Sequence, residues 1–295
     1  MPHIYTPSAA AQLALPMKLI PAGPVALGSS RFADAPPKVI HVSKFLMGET
    51  AVTEDQYRQV IGKQGNAKAE GNCPATCVSH DDAVAFIQRL GIPNSGLPSE
   101  AEWEKAARGP ARNLLEVMEA DGIPTPGERA DRLDDYLGGR FENAVTELQV
   151  GAEIVTDRKQ LEQIVRQNRV LYVWNVYGTP SGTLNDDEAW QSVNEQKEGP
   201  AAADWGPANG YGLQGMTGGV WEWVGDWYQE AYYRTSPNQD PMGPKEGRAR
   251  GLRGGSWNDS LPDDLRAAFR NYSHPDYRNY GLGFRVASAV PQDSR

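Results

Sequence analysis

Thiols and imidazoles, the side chains that most often carry redox, nucleophilic and transition-metal chemistry, are few in this chain. Cys73 and Cys77 stand four apart in GNCPATCVS, and the histidines are four: His3, His41, His80 and His274. A CxxxC in a proline-containing loop lacks the two further ligands of a structural metal site, so two structural thiols or one local disulfide is the expected reading. His274 lies two residues before Asp276, but a histidine and an acid without a serine or cysteine nucleophile make no triad. Walker A, HExxH and GxSxG motifs are absent, which leaves P-loop nucleotide and zinc-protease sites unsupported.

Recognition chemistry is better represented, between Leu252 and Val286: LRGGSWNDSLPDDLRAAFRNYSHPDYRNYGLGFRV. From Asn258 to Arg285 run twenty-eight residues without Lys, Glu, Gln, Met or Trp. Those types make up about a fifth of the chain, so independent draws would skip all five only roughly a few times in a thousand. None of the five has a codon ending in a pyrimidine. Asparagine codons randomised at their two adenines would leave this gap.

Within 258–281 the candidate ligand-facing positions fall into chemical groups. Phe269, Tyr272, Tyr277 and Tyr280 supply large, stiff contact area, while Asn258, Ser260, Asn271, Ser273, Asn279 and Gly281 supply adaptable hydrogen bonding. Asp259, Asp263, Asp264 and His274 add charge and polarity. The run fits neither helical nor strand period, which favours exposure of the group as a whole. Around it stand residues of a frame: Gly254 and Gly255 for a turn, Trp257 and Phe284 for the core, and Arg253, Arg266, Arg270 and Arg285 to brace loops against carboxylates such as Asp276.

Other elements must hold that frame. MKLIPAGPVALGSS from Met17 reads as two short strands about Pro21 to Gly23, a hairpin signal, and Ile40 to Met47 as a half-buried strand. Thr53 to Gln56, Ser79 to Asp82 and Ser99 to Glu102 each form a capping box ahead of an apolar run, predicting three helices. Amphipathic runs interspersed with charge predict a helical insertion over about 111–168, followed by a strand from Val170 to Trp174. Trp221 and Trp223 share one strand face and are expected in the core.

Length, net charge and hydropathy bound the rest. At 295 residues there is ample core for one large domain, and a net charge of -9 argues against nucleic-acid or anionic-membrane partners. No apolar run approaches the ~20 residues of a membrane helix. Residues 1–15 read as an N-terminal arm with no basic region ahead of their apolar patch, which argues against a secretory signal. A cytoplasmic or virion-associated protein is the expectation.

Seven segments, in order, resemble the formylglycine-generating, sulfatase-modifying family: LIPAGPVALGS, AVTEDQY, CVSHDDAVAFIQRL, LPSEAEWEKAARG, NGYGLQGMTGGVWEWVGDWY, LRGGSW and GFRVA. The likeness covers most of 17–288 outside the insertion. It implies an α+β fold of the C-type lectin-like class, formylglycine-generating-enzyme subtype, loop-rich with short strands and few helices. The fold would form a single domain over 16–295, with a variable region at about 256–285.

The same resemblance locates family catalysis at a copper-binding cysteine pair between GGSW and GFR. This chain has no cysteine there, and four scattered histidines do not supply the cluster of the related iron-dependent sulfoxide synthases. Gly215 and Gly219 replace residues of the family's calcium motif, leaving Glu222. No metal and no cofactor are therefore expected. A second resemblance is to the C-terminal variable regions of proteins diversified by retroelements that mutate adenines. It implies a non-enzymatic binder whose 258–281 segment recognises varied ligands, with proteins the expected partners. The alternative is a formylglycine-generating-type oxidase, or a related metal-dependent oxygenase, with an unrecognised site.

Overall fold

The computed structural model describes residues 13, 15–29, 32–36, 38–63, 65–66, 68–69, 71–109, 148–150, 153–155, 199–205, 208–259 and 262–290. The first strands are β1 (Met17–Ile20), β2 (Gly23–Leu27), β3 (Lys38–Val42) and β4 (Phe45–Gly48). β1 and β2 do not pair with each other as a hairpin. β1 pairs antiparallel with β4, and β2 with β3. The turn residues Pro21 and Ala22 therefore send the chain from one sheet to another. The stretch from Ile40 to Met47, expected as one strand, breaks at Ser43 and Lys44 for the same reason: its two halves serve different sheets.

All three capping boxes form. Thr53 accepts from the Gln56 amide ahead of α1 (Glu54–Ile61), Ser79 from the Asp82 amide ahead of α2 (His80–Leu90), and Ser99 from the Glu102 amide. In each, the side chain three residues on reaches back to the cap, satisfying another donor that would otherwise be orphaned at the helix start. Gly62 and Gly91 end α1 and α2 in the left-handed conformation. After the short strand β5 (Ser95–Gly96) the third helix, α3, runs over 100–109.

Of the expected insertion, only two short strands fall in the described residues. β6 (Leu148–Val150) and β7 (Glu153–Val155) form a hairpin, so Leu148 belongs to a strand where amphipathic periodicity predicts helix. The remaining predicted helices of 111–168, the strand from Val170 to Trp174, and residues 1–12 of the N-terminal arm lie outside the described residues.

The C-terminal half builds a four-stranded sheet from β8 (Trp221–Trp227), β9 (Arg250–Arg253), β10 (Asn271–Ser273) and β11 (Leu282–Phe284), with the short helix α4 (Tyr232–Thr235) in the connection from β8 to β9. The strand order is β10-β9-β8-β11, with β11 parallel to β8 and the other pairs antiparallel. β12 (Ala287–Ala289) then enters the first sheet between β4 and β5, giving the order β1-β4-β12-β5. The last described strand is thus stitched to one of the earliest.

Two clusters of buried apolar side chains hold these layers. One gathers Phe45, Met47, Trp103 and Val224; the other stacks Tyr57 on Phe86 at 5.8 Å and sets Phe284 edge-on to Phe86 at 5.3 Å. Each fully buried side chain of this size contributes ~1.5–3 kcal/mol. α3, which gives Ala101, Trp103, Ala106 and Ala107 to the first cluster, also carries buried charge. Lys105 donates to the carbonyls of Pro21 (2.6 Å), Gly23 (3.2 Å) and Val42 (3.3 Å), tying β2 and β3 to the helix. Burial pulls its amine down to about 7.

Candidate ligand-binding surface

Three frame arginines are fully or almost fully buried, each against a glutamate far away in sequence. Arg285 donates twice to Glu222, at 2.8 Å each, and Glu222 also accepts the Trp103 indole N–H at 2.7 Å. Arg253 pairs with Glu104, which also accepts from Arg108 and from the Tyr233 hydroxyl. Burial by itself would raise the Glu104 carboxyl; Arg108 and Arg253 outweigh that and leave it lowered. Arg270 is bound by Glu100 at 2.8 Å and lies between the rings of Tyr228 and Tyr233, 4.6 and 4.5 Å from their centroids. Bracing by arginine is therefore real, but α3 and β8 supply these carboxylates. Asp276 instead meets His274.

These pairs decide what Glu222 can do. Its carboxylate is committed to Arg285 and Trp103 in the core, so it is not poised as a cation ligand. Cys73 and Cys77 are free, partly buried thiols, not a disulfide. Burial, and then Glu54, push the Cys77 thiol up, away from a reactive thiolate. Among the described residues no group of three or more His, Cys, Asp or Glu is arranged to hold a metal ion, and no helix is long and apolar enough to cross a membrane.

The segment from 271 to 281 is held chiefly by its backbone. The Pro275 carbonyl accepts the amide of His80 at 2.9 Å, Asn279 accepts from Cys77 at 3.0 Å, and Gly281 from Trp221 at 2.8 Å. Arg278, a frame residue, adds an ion pair to Asp82 at 2.7 Å. Two asparagines fold their own loops: Asn271 accepts the amide of Tyr272, and Asn279 that of Gly281. Short polar side chains of this kind favour turns because they cap neighbouring amides.

These anchors shape a pocket of about 360 Å³. Eight of the fourteen candidate positions line it: Asn258, Asp259, Asn271, Tyr272, Ser273, Tyr277, Asn279 and Gly281. Tyr272, Tyr277 and Tyr280 are 54, 46 and 55% exposed. Tyr272 stacks on Tyr228 at 4.2 Å, and Tyr228 rests on Arg270, so the exposed ring is backed by the buried frame. Tyr280 and His274 are exposed beyond the lining, with His274 against Asp276.

Other candidates are placed differently. Phe269 is partly buried, edge-on to Phe32 at 5.3 Å and tilted on Trp221 at 6.0 Å, and so sits with the core rather than in the pocket wall. Asp264 lies in a 3-10 turn, Pro262–Leu265, where its carbonyl occupies the space a side chain on Gly255 would need. Asp263 belongs to the same turn, its side chain outside the described residues, and Ser260 is outside them altogether. Gly281 leaves no room either: an added Cβ would stand 2.8 Å from Asn258 Oδ1 and 3.0 Å from Ser256 Oγ.

Trp221, Leu252, Ser256 and Leu282 also line the pocket and were not legible as site residues. Trp221 was expected in the core with Trp223, and both are buried. The difference is where the indoles point. Trp223 donates to the Val78 carbonyl at 2.9 Å, whereas Trp221 donates to Asp259 at 3.2 Å. One strand face thus runs from core to pocket floor. Asp259 also accepts the Ser256 amide. Burial raises its carboxyl, against the pull of hydrogen bonds from Ser256 and Trp221.

The model of the sulfatase-modifying factor enzyme 1-like domain matches residues 6–290. The chain belongs to that family. A formylglycine-generating enzyme of Streptomyces coelicolor is 31% identical over 242 residues, covering 79% of this chain and 58% of that protein, so the chain spans little more than half of its relative. Among solved structures, Treponema denticola variable protein 1 superposes with a TM-score of 0.65 at 21% identity over 97% of this chain and 100% of that one. PvdO from Pseudomonas aeruginosa gives 0.60 at 19% identity, covering 98% and 99%. The fold is the α+β, C-type lectin-like form of this family, as the motifs imply.

Family membership raises copper. The described side chains lining the pocket offer carboxylate, amide, hydroxyl and aromatic groups and no sulfur. That donor set does not fit a thiolate copper site.

Proposed function

We propose that the chain is a non-enzymatic ligand-binding protein whose segment 258–281 is diversified by adenine-directed mutagenesis to recognise varied ligands, proteins foremost. The observation that carries this reading is the gathering of eight candidate positions around one pocket, backed by a buried ion-paired frame to which most of them contribute no side chain. Exposed tyrosines over a rigid support are the composition of a paratope, because they give contact area at low entropic cost. The fold shared with Treponema denticola variable protein 1 agrees with it. The decisive test is the flanking DNA. A near-copy of the coding segment for 256–285, differing only where the copy has adenine and lying beside a reverse transcriptase gene, is expected; differences spread over all four bases would sink the reading.

A second reading, oxidation of a peptide cysteine, is favoured by the identity to the formylglycine-generating enzyme. It requires stoichiometric copper or iron and oxygen-dependent turnover of a cysteine peptide. The binding reading expects neither from the purified full chain.

A further inference from the structure

We propose that the pocket of this chain receives a primary ammonium group, presented by a protein partner as a lysine side chain. The inference rests on the binding reading above and names the ligand chemistry of this sequence. Among the described residues Asp259 is the one ionisable acid or base lining the pocket apart from the tyrosine hydroxyls, and no described Lys, Arg or His lines it. Its carboxylate is partly buried and accepts from two neutral donors, the Trp221 indole and the Ser256 amide. None of the ion pairs found among the described residues includes it.

Nearby cations are engaged elsewhere. Arg250, opposite Ser273 in the β9 and β10 ladder, lies over the Trp227 ring at 3.5 Å and donates to the Gly225 carbonyl at 2.7 Å. Arg278 is bound to Asp82. A charge withdrawn from water without a counterion is costly, and a cation arriving with the ligand relieves that cost.

The walls favour ammonium over guanidinium. Each Asp259 oxygen already accepts a bond and keeps a lone pair; a compact ammonium needs one of these and can turn its other donors onto the hydroxyl and amide oxygens around it, which a rigid planar fork cannot do. Ser256, Ser273 and Asn271 line the same space, and the faces of Tyr272 and Tyr277 suit a cation at their edge of the pocket. About 360 Å³ is at the small end of the roughly 300–1,000 Å³ of ligand sites and suits one long side chain. A net charge of -9 would draw a basic partner in.

The test is a titration of the full chain followed through the Trp221 indole N–H in nitrogen-15 spectra, the resonance being assigned with W221F. Probes are Nα-acetyl-lysine methylamide, its Nε-acetylated neutral form, Nα-acetyl-arginine methylamide and n-butylamine. The lysine probe is expected to shift the resonance saturably, the neutral form at least tenfold more weakly, and D259N to remove the difference. Comparison of charged with neutral probe needs no variant, so a D259N chain that fails to fold leaves the test intact. Equal responses to both lysine forms, a stronger response to arginine, or none to lysine would each overturn the ammonium. A response to butylamine matching that to lysine would overturn a peptide source and point to a free amine. Neutral probes bound at Tyr272 and Tyr277 would leave the binding surface standing, and the flanking DNA decides that surface independently.

Discussion

Glu222 and Arg285 meet in the core through two hydrogen bonds of 2.8 Å, both side chains wholly out of solvent. The pair joins β8 to the end of β11, and Trp103 of α3 donates to the same carboxylate. Removing one partner leaves a buried charge unpaired, so R285M is expected to destabilise the chain by roughly 3–5 kcal/mol. Urea unfolding should show the midpoint falling with little change in slope. A loss under 1 kcal/mol would show that water reaches the pair.

His80 makes stability pH-dependent. It is buried edge-on to Trp223, and burial, followed by Arg250, pushes its imidazole from 6.5 down to about 4. Between these values the unfolded chain binds a proton that the folded chain refuses, so stability falls as pH drops from about 6.5 to about 4, by about 3 kcal/mol in all. H80F should flatten this part of the wild-type profile, while carboxylates common to both chains cancel. Parallel profiles would mean that His80 titrates normally.

Contact and support should separate by mutation. Tyr277 and Tyr280 are exposed, so Y277A and Y280A are expected to move stability by no more than ~0.5 kcal/mol. Phe269 packs on Phe32 and Trp221, and F269A is expected to cost about 2 kcal/mol. Thermal unfolding of the three variants checks the contrast, and equal losses would place the tyrosines in the core.

Gly281 is a candidate variable position that the pocket itself restricts. G281A should cost ~1–3 kcal/mol, because its Cβ is forced against Asn258 and Ser256. Adding N258A should recover part of that loss in a double-mutant cycle. Additive losses would locate the clash elsewhere.

Much of the frame was legible because its signals are local. A hydroxyl three residues before Gln56, Asp82 or Glu102 is enough to start a helix, and the glycine, tryptophan and arginine motifs mark the family. Long-range pairing was not legible. Carboxylates such as Asp276 are the expected partners of the frame arginines, yet Arg270 meets Glu100, 170 residues earlier, and Arg253 meets Glu104, 149 earlier. The apparent hairpin at Pro21 failed likewise, since adjacency along the chain says nothing about which sheet each strand joins. Residue types point to Tyr272 and Tyr277, which line the pocket, but cannot show that Phe269 packs with the core, because an aromatic between polar neighbours serves either purpose. Tyr228, which supports Tyr272, was hidden because its role depends on a strand that arrives later.

The backbone anchoring of 275–281 has a consequence for inheritance. The carbonyls that moor Pro275, Asn279 and Gly281 belong to every amino acid alike. A segment suspended in this way can exchange its outward side chains, Gly281 apart, while keeping these moorings. If the segment is diversified as proposed, selection among its descendants acts more on what each one grasps than on whether it folds.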